Sequence, residues 1–225
     1  MALVMSCLIL VTSQTQAMPL SRQPQKLVTD EGPDTEYLLL DHRDHPVPGD
    51  RYGWLWSEQN HMQVQVFWDD SEEVLDHGAG TCMSGVMPGS KGPVILAGHV
   101  LSYFNPLQFL QKGDLLHLDT WYGQYDYEIT DIEVYDEFDL QQMIDQKTGR
   151  ETGSADPEDV RRSRVFLLED AREAGSSEEL IIYTCYPFYP TKEEKTDRYT
   201  LIAKKVAGPS VIWVDEPQVI YSEAD

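Results

Sequence analysis

A cysteine, a histidine and an arginine stand at the ends of apolar segments of the sequence, where they could act together on one substrate. Cys185 closely follows the apolar residues 180–183, His99 lies just after a second such segment, and Arg198 precedes a third. A cysteine thiolate is a strong nucleophile, but a free thiol at neutral pH is only a few per cent ionised, so it needs a neighbouring base or cation. Histidine and arginine supply these two kinds of group. The three residues are therefore candidates for nucleophilic catalysis.

Cysteine is also among the residues most often buried in protein cores, so Cys185 taken alone is better interpreted as an inert structural thiol. The chain contains only three cysteines, Cys7, Cys82 and Cys185, and no Cys-x-x-Cys pair. This spacing indicates neither a disulfide framework nor a thiolate zinc site. The catalytic interpretation of Cys185 thus depends on His99 and Arg198 lying beside it in the fold, and Cys82 is interpreted as structural.

Other polar clusters are better interpreted as solvated charges. Acidic residues 69–73 and 193–194 could pair for glycoside hydrolysis or calcium binding, but no calcium-loop pattern is present. Residues 85–91 lack the spacing of a phosphate-binding loop. The remaining histidines show no spacing typical of a zinc site; they are His42, His45, His61, His77 and His117. The sequence therefore predicts no metal ligand set and no cofactor.

Short apolar or alternating segments predict the strands that would position the three candidates. The predicted strands are residues 62–68, 93–97, 115–120, 125–135, 165–168, 180–184 and 199–206. Seven or eight strands with few helices favour a barrel or a sandwich, with a short helix at 140–146 or 159–164. Two of the strands, at 94–97 and 180–183, are unbroken apolar runs, which are typical of central strands. Each of these runs leads into a reactive side chain, so rigid strands would present His99 and Cys185 at their ends.

Length and composition narrow the classes of protein to which the chain can belong. A chain of 225 residues with 41% hydrophobic residues can bury one sizeable core, and single β domains of this length are common. Its net charge of -22 repels phosphate backbones and anionic lipid headgroups. We therefore expect a single soluble domain that does not bind nucleic acid.

The two ends of the chain differ in character from its middle. Residues 1–17 contain an apolar run followed by small and polar residues, typical of a signal peptide or of a truncated membrane anchor. Residues 18–53 carry several prolines and little periodicity, which indicates a linker or N-terminal arm. Residues 54–207 form the predicted catalytic domain, and 208–225 a C-terminal tail. We expect an exported, extracytoplasmic protein that is either cleaved at its N-terminus or anchored through it.

Three ordered motifs resemble the catalytic motifs of the sortase family. They are Leu96-Ala97-Gly98-His99, then Thr184-Cys185-Tyr186-Pro187-Phe188, then Asp197-Arg198-Tyr199. The second motif is most similar to class D members. Glycine and aromatic positions between residues 76 and 206 also resemble the family's spacing, so the resemblance covers more than half of the chain.

The resemblance implies a fold and a reaction. The fold would be all-β, a closed eight-stranded sortase-type β-barrel with short helices in loops. Cys185 would attack the threonine carbonyl of a Leu-Pro-x-Thr-Gly-like sorting signal and form a thioester, with His99 as acid and base and Arg198 on the oxyanion side. Thr184 would bind substrate. The implied partners are surface proteins that carry a C-terminal sorting signal and an amine of the cell envelope or of a pilin.

Two other functions fit parts of the same pattern. A hydrolytic cysteine protease would use water as the acceptor, but in papain-like proteases the cysteine precedes the histidine, whereas His99 precedes Cys185 here. A surface barrel could bind peptides without turning them over, with a vestigial triad. Labelling of Cys185 by a thiol probe at neutral pH separates the enzymes from the binding module.

Overall fold

The computed structural model describes residues 25–28, 36–149, 178–192 and 194–214, and strands dominate this part of the chain. The strands are, in chain order, β1 (Gln25–Val28), β2 (Glu36–Asp41), β3 (Arg51–Ser57), β4 (Met62–Trp68), β5 (Ala79–Thr81), β6 (Pro93–Gly98), β7 (Leu115–Thr120), β8 (Gln124–Asp136), β9 (Glu179–Tyr186), β10 (Asp197–Ala207) and β11 (Ser210–Val214). The helices are α1 (Glu72–Leu75) and α2 (Glu137–Thr148), with short 3-10 turns at His42–Asp44 and Asn105–Phe109.

Eight of these strands close into a barrel. Their order around it is β10, β8, β7, β3, β4, β5, β6 and β9, and β9 pairs with β10 to complete the ring. Most neighbours are antiparallel, whereas β4 with β5 and β6 with β9 are parallel. The predicted closed eight-stranded β-barrel is therefore confirmed, and the closure leaves no free edge within the ring.

Alternating side chains fill the interior of the barrel. In β4, Met62, Val64, Val66 and Trp68 are buried and alternate with more exposed residues. β6 is instead buried along its whole length, because it is covered on both faces. These two patterns are the ones expected for a strand with one solvent-facing side and for a strand enclosed between two apolar layers.

The second layer over β6 and β9 is α2. Asp136 caps the helix by accepting a hydrogen bond from the backbone N–H of Asp139, and Gly149 ends it in the left-handed conformation, with φ of 69°. Such a backbone angle favours glycine, which has no Cβ to clash. The apolar face of α2 packs on the outside of the barrel in a cluster of four buried residues: Ile95, Leu140, Ile144 and Ile181.

A small sheet joins the two ends of the described chain outside the ring. Its order is β1, β2, β11, with β2 and β11 parallel. Leu38, Leu40 and Val211 are buried in the same core cluster as the barrel residues, and the N–H of Val211 donates to the carbonyl of Gly89. The sequence interpretation of residues 18–53 as a linker and of 208–225 as a tail did not anticipate these strands.

Two predicted elements lie outside the described residues, namely the strand at 165–168 and the helix at 159–164. The alternative helix, at 140–146, is α2. Among the described residues, no helix is both long and apolar enough to cross a membrane.

Candidate active site

The strand order brings three of the predicted site residues to one end of the barrel. β9 lies between β6 and β10, with Gly98 paired to Thr184 on one side and Arg198 paired to Cys185 on the other. His99 is the first residue after β6. Residues directly opposite each other in neighbouring strands have Cβ atoms about 4.5–5.5 Å apart. Cys185 and Arg198 are therefore lateral neighbours, and His99 stands beside them at the end of the adjoining strand.

The three side chains also belong to the same face. Along β9, Leu180 and Ile182 point into the barrel core, whereas Ile181 lies in the outer cluster under α2. Because side chains alternate along a strand, Cys185 lies on the outer face with Ile181. Arg198, directly opposite Cys185 in the ladder, shares that face.

The same alternation applies to the histidine strand. Leu96 lies in the barrel core and Ile95 in the outer cluster, so the continuation of β6 places His99 on the outer side. The predicted trio therefore converges on the outer surface of the barrel, at the end where β6 and β9 finish and β10 begins.

Thr184 occupies the opposite face. Its side chain is buried, with 2% of the residue exposed, and its Oγ1 donates a 2.7 Å hydrogen bond to the carbonyl of Gly98. This bond links β9 to β6 at the positions immediately before Cys185 and His99. The role assigned to Thr184 in substrate binding stays a prediction, whereas its contact in the fold is with the histidine strand.

Close packing accompanies the turn that follows His99. A Cβ added to Gly98 would lie 2.6 Å from Cδ2 of Phe104, so the backbone and this ring can approach only because residue 98 is glycine. The N–H of Phe104 donates to the carbonyl of His99 at 3.1 Å. Phe104 is fully buried. The buried ring of Phe104 thus holds this turn in place.

Two carboxylates of α1 and its C-terminal cap face the imidazole of His99. The Nε2 atom of His99 lies 3.6 Å from Oε1 of Glu72 and 3.6 Å from Oδ1 of Asp76. The hydroxyl of Tyr103, in the turn after His99, donates to the carbonyl of Asp76 at 3.0 Å. The helix and the turn are therefore connected through both side chain and backbone.

The same three groups are close enough together to hold a cation. Among the described residues, the potential ligand atoms of Glu72, Asp76 and His99 lie within 4.8 Å of one another. Both acidic side chains are largely exposed, at 82% and 70%. Exposed acidic groups of this kind are common without a bound ion. We interpret the carboxylates as ion-pair partners of His99.

Arg198 is held by three acceptors. Its Nη1 donates to the carbonyls of Lys195, at 2.7 Å, and Asp197, at 3.0 Å. Its Nη2 donates to Oε1 of Glu137, the first residue of α2. The side chain is only 16% exposed. The guanidinium is thus fixed beside the strand position that faces Cys185, and Glu137 is a site neighbour that sequence reasoning missed.

The segment after Cys185 carries an aromatic cluster. Phe188 contacts Tyr199 edge to face at 4.9 Å, and Tyr186 lies within 6.5 Å of both rings. Lys195 donates from Nζ to the carbonyl of Pro187 at 2.7 Å. The loop beyond the cysteine is therefore packed against β10, next to the arginine.

The two described cysteines lie in different surroundings. Both are free thiols. Cys82 packs against the outer apolar cluster with its sulfur 3.0 Å from Oγ of Ser84, and burial raises the pKa of its thiol. Burial likewise raises the pKa of Tyr183, two residues before Cys185 on the same face. Neither group is therefore ionised at neutral pH.

Comparison with known proteins agrees with this geometry. The family model of the Sortase domain matches residues 58–206, which is more than half of the chain. Sortase D of Bacillus subtilis (strain 168) is 26% identical over 162 residues, covering 72% of this chain and 67% of that protein.

Solved structures show the same fold. A Sortase D5 transpeptidase of Clostridium perfringens superposes with a TM-score of 0.52 at 20% identity, covering 73% of this chain and 84% of that one. The SrtF sortase of Corynebacterium diphtheriae superposes with a TM-score of 0.56 at 15% identity, covering 73% and 89%. The chain belongs to the sortase family of cysteine transpeptidases.

Proposed function

We propose that this sortase cleaves a Leu-Pro-x-Thr-Gly-like sorting signal after its threonine and transfers the attached protein to an amine of the cell envelope or of a pilin. The observation that carries the proposal is the ladder position of Cys185, opposite Arg198 and beside the end of the His99 strand. A nucleophile, a proton carrier and a permanent cation on one outer face are the groups that acyl transfer needs.

The first half-reaction forms a thioester. The Cys185 thiolate attacks the carbonyl carbon of the threonine, and the carbonyl oxygen takes the negative charge of the tetrahedral intermediate. When this intermediate collapses, the bond to the next residue breaks and His99 gives its proton to the departing amine. The product is an acyl-enzyme in which the threonine carbonyl is bonded to the sulfur of Cys185.

The second half-reaction reverses these roles. The acceptor amine attacks the thioester carbonyl, His99 takes the proton of the amine, and the Cys185 thiolate leaves. One imidazole can serve both steps because its ring nitrogens can both give and accept a proton. Water attacking in place of the amine would give the hydrolytic alternative.

Arg198 stabilises the charge that develops on the carbonyl oxygen. A guanidinium keeps its charge at every physiological pH and presents a planar set of donors. Loss of one donor of an oxyanion site costs on the order of 10²–10³ in turnover. The extracytoplasmic setting is supported by the apolar run within residues 1–17 and by the identity of the substrates that we propose.

Peptide turnover by purified variants tests the proposal. The wild-type chain, Cys185→Ala, His99→Ala and Arg198→Ala are incubated with a Leu-Pro-x-Thr-Gly peptide library and an amine acceptor such as triglycine, and products are identified by mass. Cleavage after threonine with transfer to the acceptor is expected for the wild type and, at a small residual rate, for Arg198→Ala, but not for Cys185→Ala or His99→Ala.

Other outcomes identify the alternatives. Cleavage by Cys185→Ala would disprove the nucleophile assignment. Cleavage by the wild type with water as the only acceptor would show a protease, and binding without cleavage would show a peptide-binding barrel.

A further inference from the structure

The carboxylate of Glu137 pairs with the guanidinium of Arg198 at the point where α2 begins. We propose that Glu137 is a positioning residue for the transfer reaction, and that it holds Arg198 in the orientation in which the guanidinium meets the substrate carbonyl. The inference rests on the proposed function, because it assigns Arg198 to the oxyanion.

The contacts of Arg198 show what Glu137 adds. Nη1 donates to the carbonyls of two preceding residues, Lys195 and Asp197. Glu137 accepts a hydrogen bond from Nη2. A guanidinium carries five N–H donors, and among the described residues the Nε hydrogen and the second Nη2 hydrogen have no acceptor, so they are open to a substrate. The two backbone carbonyls hold the Nη1 edge of the guanidinium, and the Glu137 carboxylate fixes the orientation of the guanidinium plane.

The position of Glu137 is itself set by the strands of the active site. α2 packs through Leu140 and Ile144 on Ile95 of β6 and Ile181 of β9. These are the strands that lead to His99 and Cys185. α2 therefore fixes the Glu137 carboxylate relative to β6 and β9. The ion pair of Glu137 with Arg198 connects this carboxylate to β10.

The exposure of the two partners argues for a role in turnover more than in folding. Glu137 is 63% exposed, and ion pairs that are open to solvent contribute little to stability. Arg198 is 16% exposed and has a long side chain with several torsions. Holding this side chain in one orientation costs conformational entropy, which a contact with a partner offsets. A contact that orients a reacting group lowers the free energy of the transition state and so raises the reaction rate.

A simpler explanation is that Glu137 only favours the helix. An acidic side chain in the first turn is stabilised by the helix dipole whatever else it touches. Asp139 lies in the same first turn and is also acidic and exposed. Asp139→Ala removes the same charge from the same turn but leaves the carboxylate that contacts Arg198, so it is the matched control for Glu137→Ala.

The test measures acyl-enzyme formation on the full chain in single turnover, with a peptide that the wild type cleaves. Glu137→Ala is expected to lower the acylation rate about tenfold at saturating peptide, the loss expected when a charge-assisted bond that orients a reacting group is removed. Asp139→Ala is expected to leave the rate within about twofold, and Glu137→Gln, which keeps an acceptor oxygen, to restore part of the loss. In an Arg198→Ala background, Glu137→Ala should not lower the acylation rate further, since Glu137 acts only through Arg198.

Three results would overturn the inference: an unchanged rate for Glu137→Ala, an equal loss for Asp139→Ala, or a further loss in the Arg198→Ala background. A faster rate for Glu137→Ala would also contradict it, because the carboxylate would then compete with substrate for the guanidinium. In each case wild-type turnover that depends on Cys185 leaves the proposed function intact. A wild type without acylation contradicts the proposed function instead.

Discussion

Arg198 lies directly opposite Cys185 in the antiparallel ladder of β9 and β10, which places the cation and the thiol on one face. No side-chain rearrangement is needed to bring them to neighbouring positions, because the strand register already does so. The parallel pairing of β6 with β9 adds His99 at the next strand end. The site is thus a property of three strands and their register.

The register should depend on the buried bond between Thr184 and Gly98. Thr184→Val removes a hydroxyl that donates to the Gly98 carbonyl at 2.7 Å and keeps nearly the same shape. We expect a loss of about 1 kcal/mol in the free energy of unfolding, measured by urea denaturation. The acylation rate should also fall, because the ends of β6 and β9 become free to shift.

Thr130→Val is the matched control for that substitution. Thr130 bonds the carbonyl of Ile202 at 3.1 Å on another strand pair. Its removal should affect stability without lowering the acylation rate measured at a temperature where the protein is folded. An equal rate loss in both variants would show that Thr184 has no special connection with the site.

The two described thiols should differ in reactivity at neutral pH. Burial raises the pKa of Cys82, so its thiol stays protonated there and is alkylated slowly. As pH rises toward that raised pKa, the Cys82 rate should increase. Peptide mapping after iodoacetamide treatment at pH 7 should therefore find Cys185 modified well before Cys82. Faster modification of Cys82 would contradict the assignment of Cys185 as the activated thiol.

The two carboxylates beside His99 should hold its imidazole in the orientation that serves Cys185. Glu72→Gln with Asp76→Asn removes two negative charges that lie 3.6 Å from Nε2. The alkylation rate of Cys185 at pH 7 should fall severalfold, since an imidazole that the two carboxylates no longer hold in place is a poorer partner for the thiol. Because both carboxylates are exposed, added salt should reduce the wild-type rate in the same direction.

Glu73→Gln provides the control for this pair. Glu73 lies on the same short helix and is exposed, whereas the imidazole of His99 faces Glu72 and Asp76. Its substitution should leave the alkylation rate unchanged. An equal fall for Glu73→Gln would mean that the general negative field, and not the two facing carboxylates, affects the thiol.

A buried ion pair at the other end of β9 should matter for stability and not for chemistry. Glu178 accepts from the hydroxyl of Tyr127 and the N–H of Gly89, and it pairs with Nζ of Lys205 at 2.9 Å. Glu178→Gln leaves the Lys205 charge without its buried partner, so we expect a loss of about 3 kcal/mol in the free energy of unfolding.

The neighbouring pair of Glu179 with Lys147 is more exposed. Glu179→Gln should therefore cost well under 1 kcal/mol by the same denaturant measurement. The acylation rate of either folded variant should match the wild type. A smaller loss for Glu178→Gln than for Glu179→Gln would show that the Lys205 charge finds solvent when its partner is removed.

The parts of the fold that the sequence predicted well are those with a local pattern. β4 and β7 have the predicted bounds, because alternation within a single strand reveals which face is buried. The unbroken runs at 94–97 and 180–183 were predicted to be central strands, and they lie in β6 and β9, which are neighbours in the ring and are covered on the outside by α2.

The parts that were missed depend on distant partners. β5 has only three residues, two of them small, and exists because β4 and β6 flank it. β2 and β11 contain short apolar runs, at residues 37–40 and 211–214, but they pair across almost the whole chain, so their pairing could not be read from either segment. Glu137 was missed for the same reason: its role follows from the packing of α2 beside β10, which no local pattern contains.

The assignment of Cys185 as the nucleophile is tested most directly by trapping the acyl-enzyme. The full chain is mixed with a cleavable sorting peptide without an amine acceptor, quenched in acid within one turnover, and measured by intact mass and peptide mapping. The expected result is a mass increase equal to the N-terminal fragment of the peptide ending in threonine less one water, located on Cys185 and removed by hydroxylamine, as a thioester is. A fragment attached to any other residue, or to the Cys185→Ala variant, would contradict the assignment.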